Sequence, residues 1–334
     1  MKKIVALLLC MTLVAGTLTA CGGEKATAAK TGLGVETSIA KSTPAGEEDG
    51  LAEIDSIIAA VLVGTDGKIL ACKIDAAQTK INFSAEGKLL TDPSTTFKTK
   101  QELGAEYGMG KASSIGKEWN EQADAFAAYT VGKTVDEVKG VAVNEEGVPT
   151  DADLTSSVTI HVGDFIAAVE KAVANAKDLG AKSTDKLGLG VNTEMSKSTD
   201  ATADAAGLAE AYSMYSVVTT DANGKVTSCY VDASMGDVNF DATGAITSDL
   251  TAAVATKQEL GDAYGMKAAS SIGKEWNEQA DAFGSYVKGK TASEIGGIAV
   301  NGEGYAADAD LISSVTVHVG PFISVVEKAA ANAK

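Results

Sequence analysis

Arginine is absent from the 334 residues: all 28 basic positions are lysine, set against 45 acidic ones for a net charge of −17. Without guanidinium groups the chain has no bidentate clamp for carboxylate or phosphate. A nucleic-acid partner is excluded as well, because binding one needs a concentrated basic face. A phosphate-bearing ligand would have to rely on backbone N–H groups, hydroxyls or lysine. Only two histidines occur, His161 and His318, and no CxxC pair, so a metal site has no support. Cysteine is equally sparse, at positions 10, 21, 72 and 229, which leaves no pair within either half of the chain to form a disulfide. Cys72 and Cys229 stand in alternating segments (ILACKID, VTSCYVD) and are expected as buried free thiols.

At the N-terminus, Lys2 and Lys3 precede an apolar run, Ile4–Val14, and Leu18-Thr19-Ala20-Cys21 closes it with small residues before a cysteine. That is a secretory signal over residues 1–20 whose last four positions resemble a bacterial lipobox. The expectation is that Cys21 becomes the first mature residue and carries the lipid that holds the protein at the outer face of the cytoplasmic membrane. The apolar run is shorter than the roughly 20 residues of a membrane span. Removing Lys2 and Lys3 takes the net charge from −17 to −19.

The dominant feature is a repeat. Thr99–Phe126 (TKQELGAEYGMGKASSIGKEWNEQADAF) returns as Thr256–Phe283 (TKQELGDAYGMKAASSIGKEWNEQADAF), identical at 24 of 28 positions. The same offset of 157 pairs Cys72 with Cys229, Trp119 with Trp276, Thr159 with Thr316 and His161 with His318. The period exceeds that of solenoid units, roughly 20–50 residues, and indicates a duplicated domain. The expected layout is a tether over 21–30, a first module over 31–177, a linker over 178–186 and a second module over 187–334. The linker would let the modules reorient unless their faces pack.

Within each module the pattern predicts an α+β fold: an antiparallel meander packed with a tryptophan-bearing helix and a C-terminal helix. In the first copy Leu33–Ser42, Ile54–Val63, Ile69–Asp75 and Lys80–Phe83 read as strands, with turns at Thr65–Lys68 and Ala85–Lys88 reversing the chain, the second into Leu89–Leu90. Ile115, Trp119, Ala123 and Phe126 form one stripe and predict a helix from about Ile115 to Tyr129. Capping boxes at Thr134–Glu137 and Thr291–Glu294 announce short helices. Asp153–Val162 reads as a strand leading into a helix from about Gly163, whose start is marked by Asp164 in one copy and Pro321 in the other.

The order of elements, the glycine-containing loop before the tryptophan helix, and the terminal DxxSSVT segment together resemble the FMN-binding domain family. Members are flavin carriers in electron-transfer complexes and in surface lipoproteins. In the flavinylated branch a terminal Asp-x-x-Ser/Thr-Gly-Ala-Thr/Ser motif presents the hydroxyl that receives FMN. The matching residues are Asp153, Ser156, Ser157, Val158 and Thr159, then Asp310, Ser313, Ser314, Val315 and Thr316. Ser-Val replaces Gly-Ala in both, which puts covalent attachment in question, since glycine permits a close approach and positive φ. Asp241–Thr247 (DATGAIT) imitates the motif but lies between short strands and reads as a hairpin turn.

The resemblance implies a flavin contact from Gly104, Tyr107, Gly108 and Met109, and from Gly261, Tyr264, Gly265 and Met266 in the second copy. His161 and His318 follow their threonines by two positions, which on a strand would place both on one face. Each is either a ligand contact or a hydrogen-bonded strand-end residue. Trp119 and Trp276 are either core residues or an aromatic wall for a ring. No serine–histidine–acid arrangement is present, so the chain reads as a carrier without turnover of its own. The resulting expectation is a lipid-anchored, extracytoplasmic tandem protein that binds FMN and exchanges electrons with a redox partner. The alternatives are a flavin-free binding or scaffold lipoprotein that keeps only the fold and, less well supported, a solute-binding lipoprotein.

Overall fold

The computed structural model describes residues 26–334; the signal segment and Cys21 lie outside the described residues. It contains two antiparallel sheets. In the first, β1 (Ala29–Ser38), β2 (Gly50–Gly64) and β3 (Ile69–Phe83) run in the order 1-2-3. In the second, β4 (Thr96–Phe97), β5 (Lys186–Glu194), β6 (Gly207–Thr220) and β7 (Val226–Phe240) run in the order 4-5-6-7. Segments 69–75 and 80–83 are thus one strand. Its alternation blurs in the middle because Ala76 and Ala77 are both buried, one against helices and the other against the second sheet.

The hairpin turns fall where the sequence places them. Gly67 and Gly87 have φ of 80° and 67°, and Gly224 and Gly244 have 74° and 72°. Asp241 accepts from the Thr243 and Ala245 amides, so DATGAIT is a hairpin turn as expected.

Nine helices follow the strands among the described residues. They are α1 (Lys100–Leu103), α2 (Trp119–Thr130), α3 (Val135–Lys139) and α4 (Gly163–Ala174) in the first half. The second half holds α5 (Lys257–Leu260), α6 (Trp276–Tyr286), α7 (Ala292–Gly296), α8 (Ala309–Ile312) and α9 (Gly320–Ala331). Helix α2 starts four residues later than the apolar stripe predicts. Gly116, at φ 67°, breaks the backbone, and Glu118 with Glu121 forms the capping box that starts the helix. Ile115 therefore belongs to the loop.

The four layers follow from which face each strand buries. Helices α2 and α4 cover one face of the first sheet around Phe126, Phe165 and Trp119. Helices α6 and α9 cover the second sheet around Phe283, Phe322 and Trp276. The remaining faces pack on each other through Leu33, Ile58, Leu62, Leu189, Tyr215 and Val217. In a separate buried cluster drawn from both halves, Phe83 and Phe240, equivalent by the 157 offset, stack with centroids 4.2 Å apart and planes 8° from parallel.

The halves are therefore not free to reorient, because separating them would expose an apolar layer. Two further features tie them. Segment 178–186 is hydrogen-bonded to the start of β1, where Ala29 donates to Ala181 and the Ser183 amide to Thr27. Strand β4 of the first half pairs with Thr193 and Glu194 at the edge of the second sheet. Residues 28–30, read as tether, are already paired: Ala28 bridges Lys182, and Ala29 and Lys30 open β1.

Glycine spacing in the GLGV segments of β1 and β5 sets the helix-to-sheet distance. A Cβ on Gly34 would sit 2.1 Å from the Ala168 carbonyl of α4, and one on Gly190 2.3 Å from the Val325 carbonyl of α9. The missing side chains let helix backbone rest directly on strand backbone.

Candidate functional site

The terminal segment is not the strand that its β-branched residues suggest. Asp151 accepts from the Leu154 and Thr155 amides through its carbonyl and from Asp153 through its carboxylate, and Leu154 accepts from Val158. These are helical-turn bonds, and in the second half they become α8, capped by Asp308. Spacing of four, not alternation, decides the geometry: Leu154 and Val158, like Leu311 and Val315, are buried together in the cores. The valines that replace the motif's alanine act as plugs. Ser157 and Ser314 hold the turn through bonds to the Leu154 and Leu311 carbonyls, and no non-glycine described residue has positive φ. Ser156 and Ser313 are exposed on the outside of the turn.

Thr159 and Thr316 are half-buried against the tryptophan helices. Gln122 Oε1 accepts from the Thr159 N–H at 2.8 Å and from its hydroxyl at 3.3 Å. Gln279 does the same for Thr316 at 2.7 and 3.3 Å. Each glutamine also donates to a serine hydroxyl (Ser113, Ser270) and a lysine carbonyl (Lys117, Lys274) of the preceding loop. Loop and threonine are thus joined through a buried amide. In the second half Thr316, Gln279, Ser270 and Met266 line a cavity of about 180 Å³. Ligand pockets generally run from roughly 300 to 1,000 Å³. The cavity is too small for FMN, and the threonine hydroxyl beside it is already engaged, so the terminal segment does not fit a whole flavin.

The other expected contacts part company. His161 is exposed, packs over Gly147 and Gly163, and lines a separate cavity of about 200 Å³ with Lys100, Trp119, Asp55 and Asp164. His318 is exposed with its ring edge-on to Tyr305, centroids 4.4 Å apart. Gly104, Gly108, Gly261 and Gly265 shape the loop through φ of 48°, 78°, 49° and 79°. Met109 and Met266 are held by the N-cap carboxylates of α2 and α6, which accept their backbone amides. The Tyr107 and Tyr264 rings lie under the Lys100 and Lys257 ammonium groups, 4.6 Å from each centroid. Trp119 and Trp276 are 5 % and 3 % exposed and meet Phe165 and Phe322 edge-on, so both are core residues. Cys72 and Cys229 are free; Cys229 is buried as expected whereas Cys72 is half-buried, and desolvation pushes both thiols up to about 12.

A wider opening lies elsewhere, between the halves. A cleft of about 450 Å³ has Thr96, Phe97 and Lys98 of the first half on one side and β5, β6 and the start of α9 on the other. Phe97, Tyr212 and Met214 supply its apolar surface, and Thr193, Asn192 and Ser324 its neutral polar groups. Gly320 and Pro321 bring the N-terminus of α9 to its wall; Pro321 has no N–H, which leaves the Gly320 and Phe322 amides as the first-turn donors without intrahelical partners. Lys328 closes one end and is paired with Glu102 at 2.6 Å. Sequence reading missed this cleft because it needs residues from both halves. The signal was copy-specific change: Tyr212 stands where the first half has Asp55, and Pro321 where it has Asp164.

No protein-family model and no solved structure matches the chain. A stretch of 40 residues is 58 % identical to a chlorophenol reductase of Desulfitobacterium hafniense. The match spans 12 % of this chain and 12 % of that protein. Among the described residues no helix is long and apolar enough to cross a membrane, and no group of three or more His, Cys, Asp or Glu could hold a metal ion.

Proposed function

We propose that the protein is a lipid-anchored, extracytoplasmic carrier that binds FMN non-covalently in the cleft between its halves and exchanges electrons with a redox partner. The observation that carries this reading is the cleft itself. Its volume of about 450 Å³ lies in the range of small-molecule sites, and it sets an aromatic surface near a helix N-terminus. Phe97, Tyr212 and Met214 suit the face of a flat ring, and Thr193, Asn192 and Ser324 suit a polyol chain. For a phosphate, the Gly320 and Phe322 amides of the α9 N-terminus and Lys98, whose ammonium is shared with Glu106 at 2.8 Å, stand in for arginine. The flavin, when bound, supplies the redox chemistry; the protein positions it and sets its electrostatics. The short likeness to a reductase agrees in chemical class.

A second reading, a flavin-free scaffold, is favoured by one observation: Thr159 and Thr316 are tied to Gln122 and Gln279, and the cavity beside Thr316 is too small for a flavin. Titration of purified protein with FMN, followed by flavin fluorescence and by intact mass, separates the two. The cleft reading expects saturable binding without a covalent adduct, weakened at least about tenfold by Ser324→Glu through repulsion of the phosphate. It expects no change in Thr159→Ala plus Thr316→Ala. Absence of binding by the wild-type protein leaves the scaffold, and a mass adduct lost in the double threonine variant restores the terminal motif.

A further inference from the structure

Differences between equivalent positions of the two halves converge on one lysine. Lys257, the first residue of α5, is 4 % exposed. Its Nζ lies 4.7, 4.6 and 5.1 Å from the ring centres of Tyr212, Tyr264 and Trp276, and it donates to the Tyr212 hydroxyl at 3.2 Å. Its counterpart Lys100 keeps two of the rings, Tyr107 and Trp119. The third position is Asp55, whose carboxylate is taken by Lys41 at 2.6 Å.

A second difference lies beside the first. Glu210 and Asp237 face each other directly across β6 and β7. Glu210 Oε1 and Asp237 Oδ1 are buried with no hydrogen-bond partner, and Glu210 is only 5 % exposed. The same two positions in the first half are Glu53 and Lys80, an ion pair at 3.4 Å, with Gln78 donating to Glu53 at 2.9 Å. Met235 stands in place of Gln78. The second half has thus exchanged a satisfied ion pair for two carboxyl groups with open oxygens. Finally, Lys257 and Asp237 line one cavity of about 340 Å³, whose other walls include Ile39, Met235, Val254 and Leu260.

We propose that Lys257 is an amine nucleophile that condenses with a small apolar aldehyde or ketone held in this cavity, Asp237 of the carboxyl pair handling the protons. The Nζ lone pair forms the C–N bond while the carbonyl π electrons move to oxygen, and the proton that leaves the nitrogen passes through the Asp237 carboxylate to that oxygen. Loss of one water from the carbinolamine leaves the C=N bond, and nothing is oxidised or reduced. Neutral amine is the reacting form.

The electrostatics suit both roles. Burial pushes the Lys257 amine down to about 8, Lys197 adding to the effect and Glu210 and Asp232 opposing it. Burial pushes Glu210 up, reinforced by Asp237, and burial raises Asp237 in turn. Tyr212 and Tyr264 are raised by burial and stay neutral, and Asp249, also on the cavity wall, is held below its ordinary value by its Thr251 hydrogen bonds. This inference does not depend on flavin binding.

Reductive trapping tests it on the full chain: benzaldehyde and cyanoborohydride at pH 8, with rates read lysine by lysine by peptide mass mapping. An ordinary lysine, with a pKa near 10.4, is less than about 1 % neutral at that pH. Lys257 should therefore label on the order of ten times faster than Lys100 and the exposed lysines, after allowing for restricted access. Asp237→Asn should slow labelling at Lys257 and leave Lys100 unchanged. Labelling of wild-type Lys257 at or below the rate of the exposed lysines overturns the proposal, and so does an unchanged rate in Asp237→Asn.

Discussion

Glu102 of the first half and Lys328 of the last helix meet at 2.6 Å, and their equivalents Glu259 and Lys171 meet at 2.7 Å. In each half the glutamate is the N3 member of a capping box, its other oxygen accepting from the N-cap threonine amide. Each lysine also donates to a strand carbonyl, Val191 or Val35. One carboxylate thus starts a short helix and latches it to the opposite half.

Breaking one latch should be mild and breaking both should not be additive. The pairs are partly exposed, so Glu102→Gln should cost about 1 kcal/mol in chemical denaturation. Burial raises the Glu102 carboxyl, but the Lys328 bond and the Thr99 amide outweigh it and hold it below its ordinary value. A depressed carboxylate stabilises the fold above its unfolded pKa of about 4.3, and that contribution disappears as pH falls through the folded value. Glu102→Gln should therefore flatten stability below about pH 4.5. A stability profile parallel to wild type in that range would rule out the latch as its source.

Asp232 has the opposite sign. Burial raises its carboxyl to about 7 even though Ala233 and Gln258 amides donate to Oδ1. The unfolded value is about 3.9, so the folded state binds the extra proton between roughly pH 4 and 7 and stability falls across that window as pH rises. Asn keeps an oxygen for both amides and carries no charge. Asp232→Asn should match or exceed wild type by about 1–2 kcal/mol at pH 8 and lose the slope below pH 7. A variant equally destabilised at pH 5 and pH 8 would mean the carboxylate is needed as a charge.

Much of this fold was legible because its signals are local. Gly67 and Gly87 mark turns, Thr134 and Thr291 start short helices with their glutamates, and Pro321 starts α9. The terminal segment was misread because Val158, Thr159 and Ile160 favour strands in isolation, whereas Asp151 capping and burial of Leu154 with Val158 close a helical turn. The packing of the halves was illegible for another reason. Leu33, Ile58 and Tyr215 look like any buried strand residues, and nothing local says that their partner is the other sheet. The candidate sites follow the same rule: Met266 and Thr316 were found through the repeat, while Tyr212, Asp237 and Lys257 matter where the repeat is broken.

Gln279 joins three segments and should be intolerant of change. It is fully buried, accepts from Thr316 twice and donates to Ser270 and the Lys274 carbonyl. Gln279→Ala leaves these groups without partners inside the protein, at a cost of about 2–3 kcal/mol, whereas Thr316→Ala removes one weak bond and should cost under about 1 kcal/mol. Hydrogen exchange should show the Thr316 amide losing protection in the first variant and keeping it in the second. Equal protection in both would place the hold on this segment in Val315 instead.

The glycine stripe under α4 supplies the largest expected effect. Gly34→Ala sets a methyl 2.1 Å from the Ala168 carbonyl oxygen and 2.5 Å from the Ala172 amide nitrogen. Both neighbours are helix backbone, so no rotamer change relieves the clash, and α4 must lift away from β1. Lifting it loosens the Phe165 contact with Trp119 and strains the Lys171 bond to the Val35 carbonyl. The cost should be about 3 kcal/mol or more, at the upper end for overpacking. Gly67→Ala is the control: its added methyl meets nothing within 4 Å and only the positive φ of 80° is penalised, for about 1–2 kcal/mol. Denaturation midpoints for the two variants, with tryptophan fluorescence as the probe, should separate them. A Gly34→Ala midpoint no lower than that of Gly67→Ala would show that β1 and α4 can part without loss.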